Sequence, residues 1–190
     1  DVVADEGLLE EAIEHTRVGL DLLGTDHRDH PGYTANLVAL LRSLSRESGD
    51  PAPIDEAVRL GRAALRRIPD GDSDRPLVLT NTASAIFEAV RSDADLDLLP
   101  EALDLYRTAI EIAPEGSRDQ GVAMVNLVSA CRDANERHPD PALLDEALAR
   151  GGEAQDEQVH EAGDERNNGE LDCCENHACQ CRVDTGVNPE

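Results

Sequence analysis

The stretch DPAPIDEAVRLGRAALRR, residues 50–67, decides the fold, because its pattern returns along the chain. Its Glu-Ala pair at residues 56–57 stands again at 11–12, 101–102 and 146–147, always at a step of 45 residues. Six further columns keep that step: Leu9, Ile54, Leu99 and Leu144; Leu20, Leu65 and Ile110; Arg17, Arg62 and Arg107; Asp29, Asp74 and Asp119; Asn36, Asn81 and Asn126; Asp50, Asp95 and Asp140. A fixed period of about 20–50 residues is typical of a solenoid, in which each unit buries its apolar face against its neighbours.

Apolar residues at helical spacing predict two helices in each unit. In the first copy Leu9, Ile13 and Leu20 recur at this spacing, and Gly24 ends the helix. The predicted helices cover about 8–23, 31–47, 53–68, 76–92, 98–113 and 119–137, and another starts at 141. Short connections make sequential helices antiparallel. The predicted fold is therefore all-α, an antiparallel helix-pair solenoid with a 45-residue period over residues 8–150.

Three aspartates are placed to cap these helices. Asp29, Asp50 and Asp140 each stand just before a predicted helix that has proline in its first turn. An aspartate side chain can accept a hydrogen bond from the first backbone N–H groups, and proline needs no N–H partner there.

The formal charge of the chain is −24, which favours basic partners and disfavours nucleic acid and anionic membranes. The alternative is an acidic surface that serves only solubility. No apolar run approaches the roughly 20 residues that a membrane span needs, and no secretory segment is present. The sequence therefore predicts a cytoplasmic protein. It begins with aspartate rather than methionine, which indicates a fragment or a processed chain.

The repeat ends after Arg150. Gly152 and Gln155 stand where the columns of Arg17 and Leu20 would continue. Residues 151–190 are polar and acidic, and such a segment cannot bury enough apolar surface to offset the entropy of ordering it. We therefore expect a disordered C-terminal tail, with a frameshifted or artificial C-terminus as the alternative.

Read from Pro31, each unit has a helix with asparagine near its start and a second helix that carries Glu-Ala. A small residue follows seven positions after that alanine, at Ala64 or Ala109, and a proline closes the helix. This arrangement resembles a tetratricopeptide repeat, although the period exceeds the usual value of about 34 residues. The phrases A-N-L, G-D-P, D-E-A and D-R-P resemble the long repeats of actinobacterial proteins, where such arrays often precede a caspase-like CHAT protease domain. The resemblance departs from the family at Gly19 and Gly24, at Thr82 and after residue 150.

Asn36, Asn81 and Asn126 occupy one helical position in three copies, although asparagine is a mediocre helix former. In the functional interpretation, the first helix of each unit lines a concave face, and each carboxamide hydrogen bonds the backbone of an extended peptide. The resemblance implies the same role, since tetratricopeptide grooves often hold peptides through such asparagines. In the alternative interpretation, these side chains satisfy backbone groups between adjacent units.

Five further residues extend the candidate groove by helical spacing: Ser84, Ser129, Arg42, Arg132 and Phe87. Arg42 and Arg132 are assigned as cationic anchors for an acidic group or a C-terminal carboxylate, with pairing to neighbouring carboxylates as the alternative. Close helix packing is the favoured explanation of the two serines, and a core position that of Phe87.

The arginine column has no functional interpretation. Asp21 and Glu111 stand four residues after Arg17 and Arg107, so we predict surface ion pairs within each helix.

Possible metal ligands crowd nine residues of the tail: Cys173, Cys174, His177, Cys179 and Cys181. Structural zinc sites usually offer two separated ligand pairs, so this single cluster favours reduced thiols over a metal site. No Gly-rich phosphate loop, His-Glu zinc helix or Ser-centred elbow occurs in the sequence. The sequence therefore predicts no enzymatic activity and no cofactor.

The leading functional hypothesis is a non-catalytic scaffold that binds a peptide or protein segment in its concave groove. It would serve as the sensing part of a larger signalling or CHAT-type protein. Two alternatives stay open. One is a structural spacer or oligomerisation array with an empty groove, and the other is metal binding through the C-terminal Cys/His cluster.

Overall fold

The computed structural model describes residues 2–93, 96–143, 145–146 and 148–149. In this part of the chain six α-helices and one 3₁₀ turn follow one another: α1 (Val2–Leu23), α2 (His30–Ser48), α3 (Ala52–Leu65), α4 (Arg75–Asp93), the turn Leu96–Leu98, α5 (Leu99–Ile112) and α6 (Arg118–Arg137). Residues 141–143 are helical again. The all-α prediction is thus confirmed for the described residues, and the predicted tail lies outside them.

The helix boundaries agree with the predicted ones to within three residues, except that α1 begins at Val2 rather than near residue 8. Glycine ends two of the helices. Gly24 and Gly49 have φ angles of 76° and 71°, in the left-handed region that glycine adopts without strain.

Two of the three predicted capping aspartates accept a hydrogen bond from the backbone N–H two residues further on, although the capping position of α3 is Pro51. Asp50 Oδ1 accepts a hydrogen bond from the N–H of Ala52 at 3.0 Å, and Asp140 Oδ1 accepts one from the N–H of Ala142 at 2.9 Å. The prediction for Asp29 was wrong, because its side chain makes no capping hydrogen bond. Its backbone is already in the right-handed helical region, at φ −83° and ψ −2°, rather than in the extended conformation of a capping residue.

The described helices pack as two layers. Each helix contacts the next one along the chain, and in addition α2 contacts α4 and α4 contacts α6. No Cα atom of α1 lies within 8 Å of one in α3, and the same holds for α3 and α5. We call α2, α4 and α6 the even layer, which is closely packed, and α1, α3 and α5 the odd layer, whose members stand further apart.

Helix α4 lies at the centre of the core, where Val78, Ala83 and Ile86 are completely buried. It approaches α3 closely at Gly61, because a Cβ atom added there would lie 2.5 Å from Thr82 Oγ1. The close contact between these two helices therefore depends on glycine.

Candidate functional site

Three ion pairs join an arginine of the odd layer to a glutamate 39 residues further along. The first two cross from one odd-layer helix to the next, and the third reaches Glu146, which follows α6. They are Arg17 Nη2–Glu56 Oε2 at 2.8 Å, Arg62 Nε–Glu101 Oε1 at 2.9 Å and Arg107 Nη2–Glu146 Oε2 at 2.7 Å. Arg62 and Arg107 each use Nε and Nη2, which is the bidentate geometry of a strong pair. The hydrogen bonds that these two guanidinium groups donate to Glu101 and Glu146 raise their pKa.

These contacts correct the predicted pairs within single helices, Arg17 with Asp21 and Arg107 with Glu111. An arginine side chain is long enough to cross the gap between two odd-layer helices, and the carboxylate that it meets there is half-buried. Arg107 keeps one contact on its own helix, to Asp104 three residues before it. The repeated arginines and glutamates thus have a structural role, because their ion pairs hold separate helices together.

We expect the Arg62–Glu101 pair to contribute about 0.5–1 kcal/mol to the free energy of unfolding. The two side chains are 38% and 39% exposed, so solvent screens their attraction. A double-mutant cycle with Arg62→Ala and Glu101→Ala, followed by urea denaturation, measures the coupling. It should shrink when the salt concentration is raised to about 1 M. Arg59→Ala, at an exposed position of the same helix, is the control, and a coupling of zero at low salt would contradict the expectation.

The three asparagines lie in the even layer, but they do not share one role. Asn81 Nδ2 donates a hydrogen bond to the carbonyl O of Ala35 on α2 at 2.9 Å, as the structural alternative predicts. Asn36 is exposed and Asn126 is half-buried. Within the described residues neither of these two side chains makes a hydrogen bond, so both carboxamides offer a donor and an acceptor to a ligand.

A cleft of about 290 Å³ lies beside Asn36. Its other lining residues are Asp29, Gly32, Tyr33, Asp74 and Leu77. Tyr33 is 52% exposed. Asp74 approaches α2 closely, since a Cβ atom on Gly32 would lie 2.6 Å from Asp74 Oδ2. Two carboxylates near an aromatic ring and a carboxamide suit a peptide with a basic side chain. Sequence reasoning missed Tyr33, because an aromatic residue appears there in one copy only.

Ser84, Ser129 and Phe87 do not line the cleft beside Asn36. Ser84 is buried, and its hydroxyl shares a hydrogen bond of 2.9 Å with that of Tyr106. Ser129 is exposed, but its hydroxyl donates to the carbonyl of Val125 on its own helix. Phe87 is half-buried and packs against both of the larger core clusters. Ser84 and Phe87 therefore lie in positions that serve packing.

Arg42 and Arg132, the two predicted cationic anchors, differ in their exposure. Arg132 is exposed on α6 and makes no ion pair with a described residue. Arg42 is half-buried on α2. Burial raises the pKa of Tyr106, while the hydrogen bond with Ser84 and the charge of Arg42 act in the opposite direction. Arg132 is thus the better placed of the two to meet an anionic group.

A charged cluster between α4 and α6 was not predicted. Arg91 Nε lies 3.3 Å from Asp133 Oδ2, and Arg137 Nη2 lies 3.9 Å from the same oxygen. Arg137 also donates to the backbone carbonyl of Arg91 at 3.3 Å. This set occurs in one place only, so the repeat columns carried no signal for it.

No group of three or more His, Cys, Asp or Glu side chains is placed to hold a metal ion in the described part of the chain. The cysteine and histidine cluster at residues 173–181 lies outside that part. Cys131 is buried with its Sγ 3.8 Å from Glu146 Oε2, and burial raises its pKa to about 12. Its thiol therefore stays protonated at neutral pH and acts as a core group.

No family model, curated protein or solved structure matches this chain. No helix in the described ranges is long and apolar enough to cross a membrane.

Proposed function

We propose that the protein is a non-catalytic scaffold, a tetratricopeptide-like solenoid with a 45-residue period whose even layer binds an extended peptide. The three Arg–Glu pairs support the repeat, since each joins equivalent residues at a separation of 39. The close packing of the even layer supports a concave groove on that side. In a curved stack of two layers, the inner layer has the shorter spacing.

The cleft beside Asn36 is the observation that carries this proposal. The exposed carboxamide can pair with the backbone of an extended segment, and Tyr33 offers a flat contact surface. Asp29 and Asp74 favour a lysine or arginine side chain in the cleft, in agreement with the net charge of −24. Arg132 adds a cationic group on α6 for a carboxylate of the same partner.

Such a scaffold fits the sensing part of a larger cytoplasmic signalling protein, as in the long-repeat arrays that this sequence resembles. The second candidate is a structural spacer with an empty groove, and the hydrogen bond from Asn81 to Ala35 favours it. That contact gives the asparagine column a role in joining two even-layer helices without any ligand.

Selection of peptides from a random library on the full chain tests the proposal. We expect the selected peptides to carry lysine or arginine. Asp74→Asn should weaken their binding about tenfold, because a hydrogen bond to a charged group contributes about 1.5 kcal/mol. Asn36→Ala should weaken it about fivefold, because the neutral hydrogen bond to the peptide backbone contributes about 1 kcal/mol. Affinity measured by fluorescence anisotropy gives the readout.

Glu111→Gln is the matched control, since Glu111 is exposed on α5 outside the even layer, and it should leave the affinity unchanged. Circular dichroism checks that each variant is folded. A library that yields no basic peptides, or affinities that neither cleft variant changes, would favour the spacer.

A further inference from the structure

A cavity of about 330 Å³ lies between α1 and α3, with α2 as its floor. Two contacts cross from the α1 side of this gap to the α3 side. Arg17 Nη2 lies 2.8 Å from Glu56 Oε2, and Arg67 Nη2 donates to the carbonyl O of Thr25 at 2.6 Å. The cavity occupies the space between these contacts, because its other lining residues on the two helices lie between them in sequence: Leu20, Asp21, Leu60, Ala63 and Ala64. We call it the α1–α3 cavity.

Short side chains on α2 leave room for the cavity. His30 and Thr34 line it from α2. At the same positions in the next copy of the repeat, α4 carries the larger residues Arg75 and Leu79. Leu79 is buried in the core, and Arg75 reaches the carbonyl O of Ile68 at 2.8 Å. The smaller pair on α2 therefore leaves a space that larger side chains fill in the next copy.

The lining of the α1–α3 cavity combines apolar side chains with charges of both signs. Its charged residues are two arginines and two carboxylates, Arg17, Arg67, Asp21 and Glu56. Because these charges cancel, an ion of one sign gains little net attraction, whereas a zwitterion can place each of its charges beside an opposite one. The volume lies at the lower end of the range of about 300–1,000 Å³ that is usual for ligand pockets, so a small molecule fits.

Three lining groups keep free hydrogen-bonding capacity. Asp21 makes no ion pair with a described residue. Arg67 uses only Nη2 in its contacts within the described ranges, so Nε and Nη1 stay available as donors. Thr34 donates its hydroxyl proton to the carbonyl O of His30 at 2.8 Å, so its 3.3 Å contact with His30 Nδ1 places the ring proton on Nδ1. Nε2 is then an acceptor, since burial and, after it, the charges of Arg67 and His27 lower the pKa of His30 and keep the ring neutral at neutral pH.

We propose that the α1–α3 cavity binds a free α-amino acid with an aliphatic side chain. Asp21 and His30 Nε2 accept hydrogen bonds from its ammonium group, and Arg67 donates hydrogen bonds to its carboxylate. Its side chain lies against the leucines of the cavity. The bound amino acid thus joins α1 to α3 between the two arginine contacts.

Isothermal titration calorimetry of the full chain with L-leucine tests this site. We expect saturable binding. Two probes with the same carbon skeleton each lack one charged group: 4-methylpentanoate has no ammonium group, and 3-methylbutylamine has no carboxylate. Each should bind about tenfold more weakly than leucine, because a charge-assisted hydrogen bond is lost. Glycine should also bind more weakly than leucine, because it has no apolar side chain to bury.

Variants locate the binding in the cavity. Asp21→Asn should weaken leucine binding about tenfold without weakening the binding of 4-methylpentanoate, which has no ammonium group. Glu14→Gln removes a charge from an exposed position of the same helix outside the cavity, so this matched control should leave both affinities unchanged. Thr34→Leu introduces the residue of the next copy into the cavity and should abolish leucine binding. Circular dichroism checks that each variant is folded.

Three results would overturn the proposal. They are the absence of saturable leucine binding, an equal loss for leucine and 4-methylpentanoate in Asp21→Asn, and leucine binding that a folded Thr34→Leu variant retains. If Thr34→Leu does not fold, the comparison of the two ligands in Asp21→Asn decides. The α1–α3 cavity shares no lining residue with the cleft beside Asn36, so a negative result here leaves the proposed peptide binding unaffected.

Discussion

Replacing Leu127 by alanine is expected to lower the free energy of unfolding by about 3–4 kcal/mol. Leu127 is 0% exposed and packs in one core cluster with Leu103, Tyr106 and Met124. The substitution removes buried carbon atoms and leaves a cavity that the surrounding helices close only in part. Such changes typically cost about 2–5 kcal/mol. Urea denaturation monitored by circular dichroism gives the measurement.

Leu22→Ala is the matched control for this prediction. Leu22 is 84% exposed on α1, so the same substitution there should change stability by less than about 0.5 kcal/mol. A loss below about 1 kcal/mol for Leu127→Ala would contradict the packing described for α6.

Replacing Gly61 by leucine is expected to lower the free energy of unfolding by about 3 kcal/mol, the upper end of typical overpacking costs. A Cβ atom at this position would lie 2.5 Å from Thr82 Oγ1 and 2.9 Å from Thr82 Cγ2. Thr82 is buried and its hydroxyl donates to the carbonyl of Val78, so the side chain cannot move aside freely. The two helices would have to separate. Thermal and urea denaturation of the variant measure the loss.

The control is Gly19→Leu, because a Cβ atom on Gly19 would meet nothing within 4 Å. Leucine is a better helix former than glycine, so this variant should be slightly more stable than the parent. Adding Thr82→Ala to Gly61→Leu should recover part of the loss, since residues in contact do not act additively. Equal effects of leucine at positions 19 and 61 would refute the close contact between α3 and α4.

The helices themselves could be predicted from local information. Apolar spacing, Gly24 and Gly49 at helix ends and the Asp50 cap act within a few residues, so the sequence displays them directly. Asp29 shows the limit of such reasoning. It has the right residue type at the right place, but the backbone around it adopts a conformation that leaves its side chain no capping role.

Contacts between units could not be predicted in the same way. The sequence shows that Arg62 and Glu101 belong to repeated columns. Whether such an arginine pairs with a glutamate on another helix or with a carboxylate on its own helix depends on the distance between odd-layer helices, which the sequence does not show. Packing also differs from unit to unit. Gly61 lies against Thr82. In the next copy of the repeat, Tyr106 replaces Gly61 and Leu127 replaces Thr82. Because side-chain size varies at both positions, comparing the copies does not reveal the close contact between Gly61 and Thr82. The cleft at Asn36 depends on Tyr33, which no other copy repeats.

The helices of the two layers are joined by different kinds of contact, and we expect the two layers to differ in stiffness. Arginine side chains span the odd-layer gaps, whereas the even-layer helices contact each other directly, and Asn81 donates a hydrogen bond from its side chain to the carbonyl of Ala35. Long side chains can change rotamer and still keep their ion pair, whereas closely packed helices lose contacts when they move apart. We therefore expect the distances between neighbouring odd-layer helices to fluctuate more than the distances between neighbouring even-layer helices.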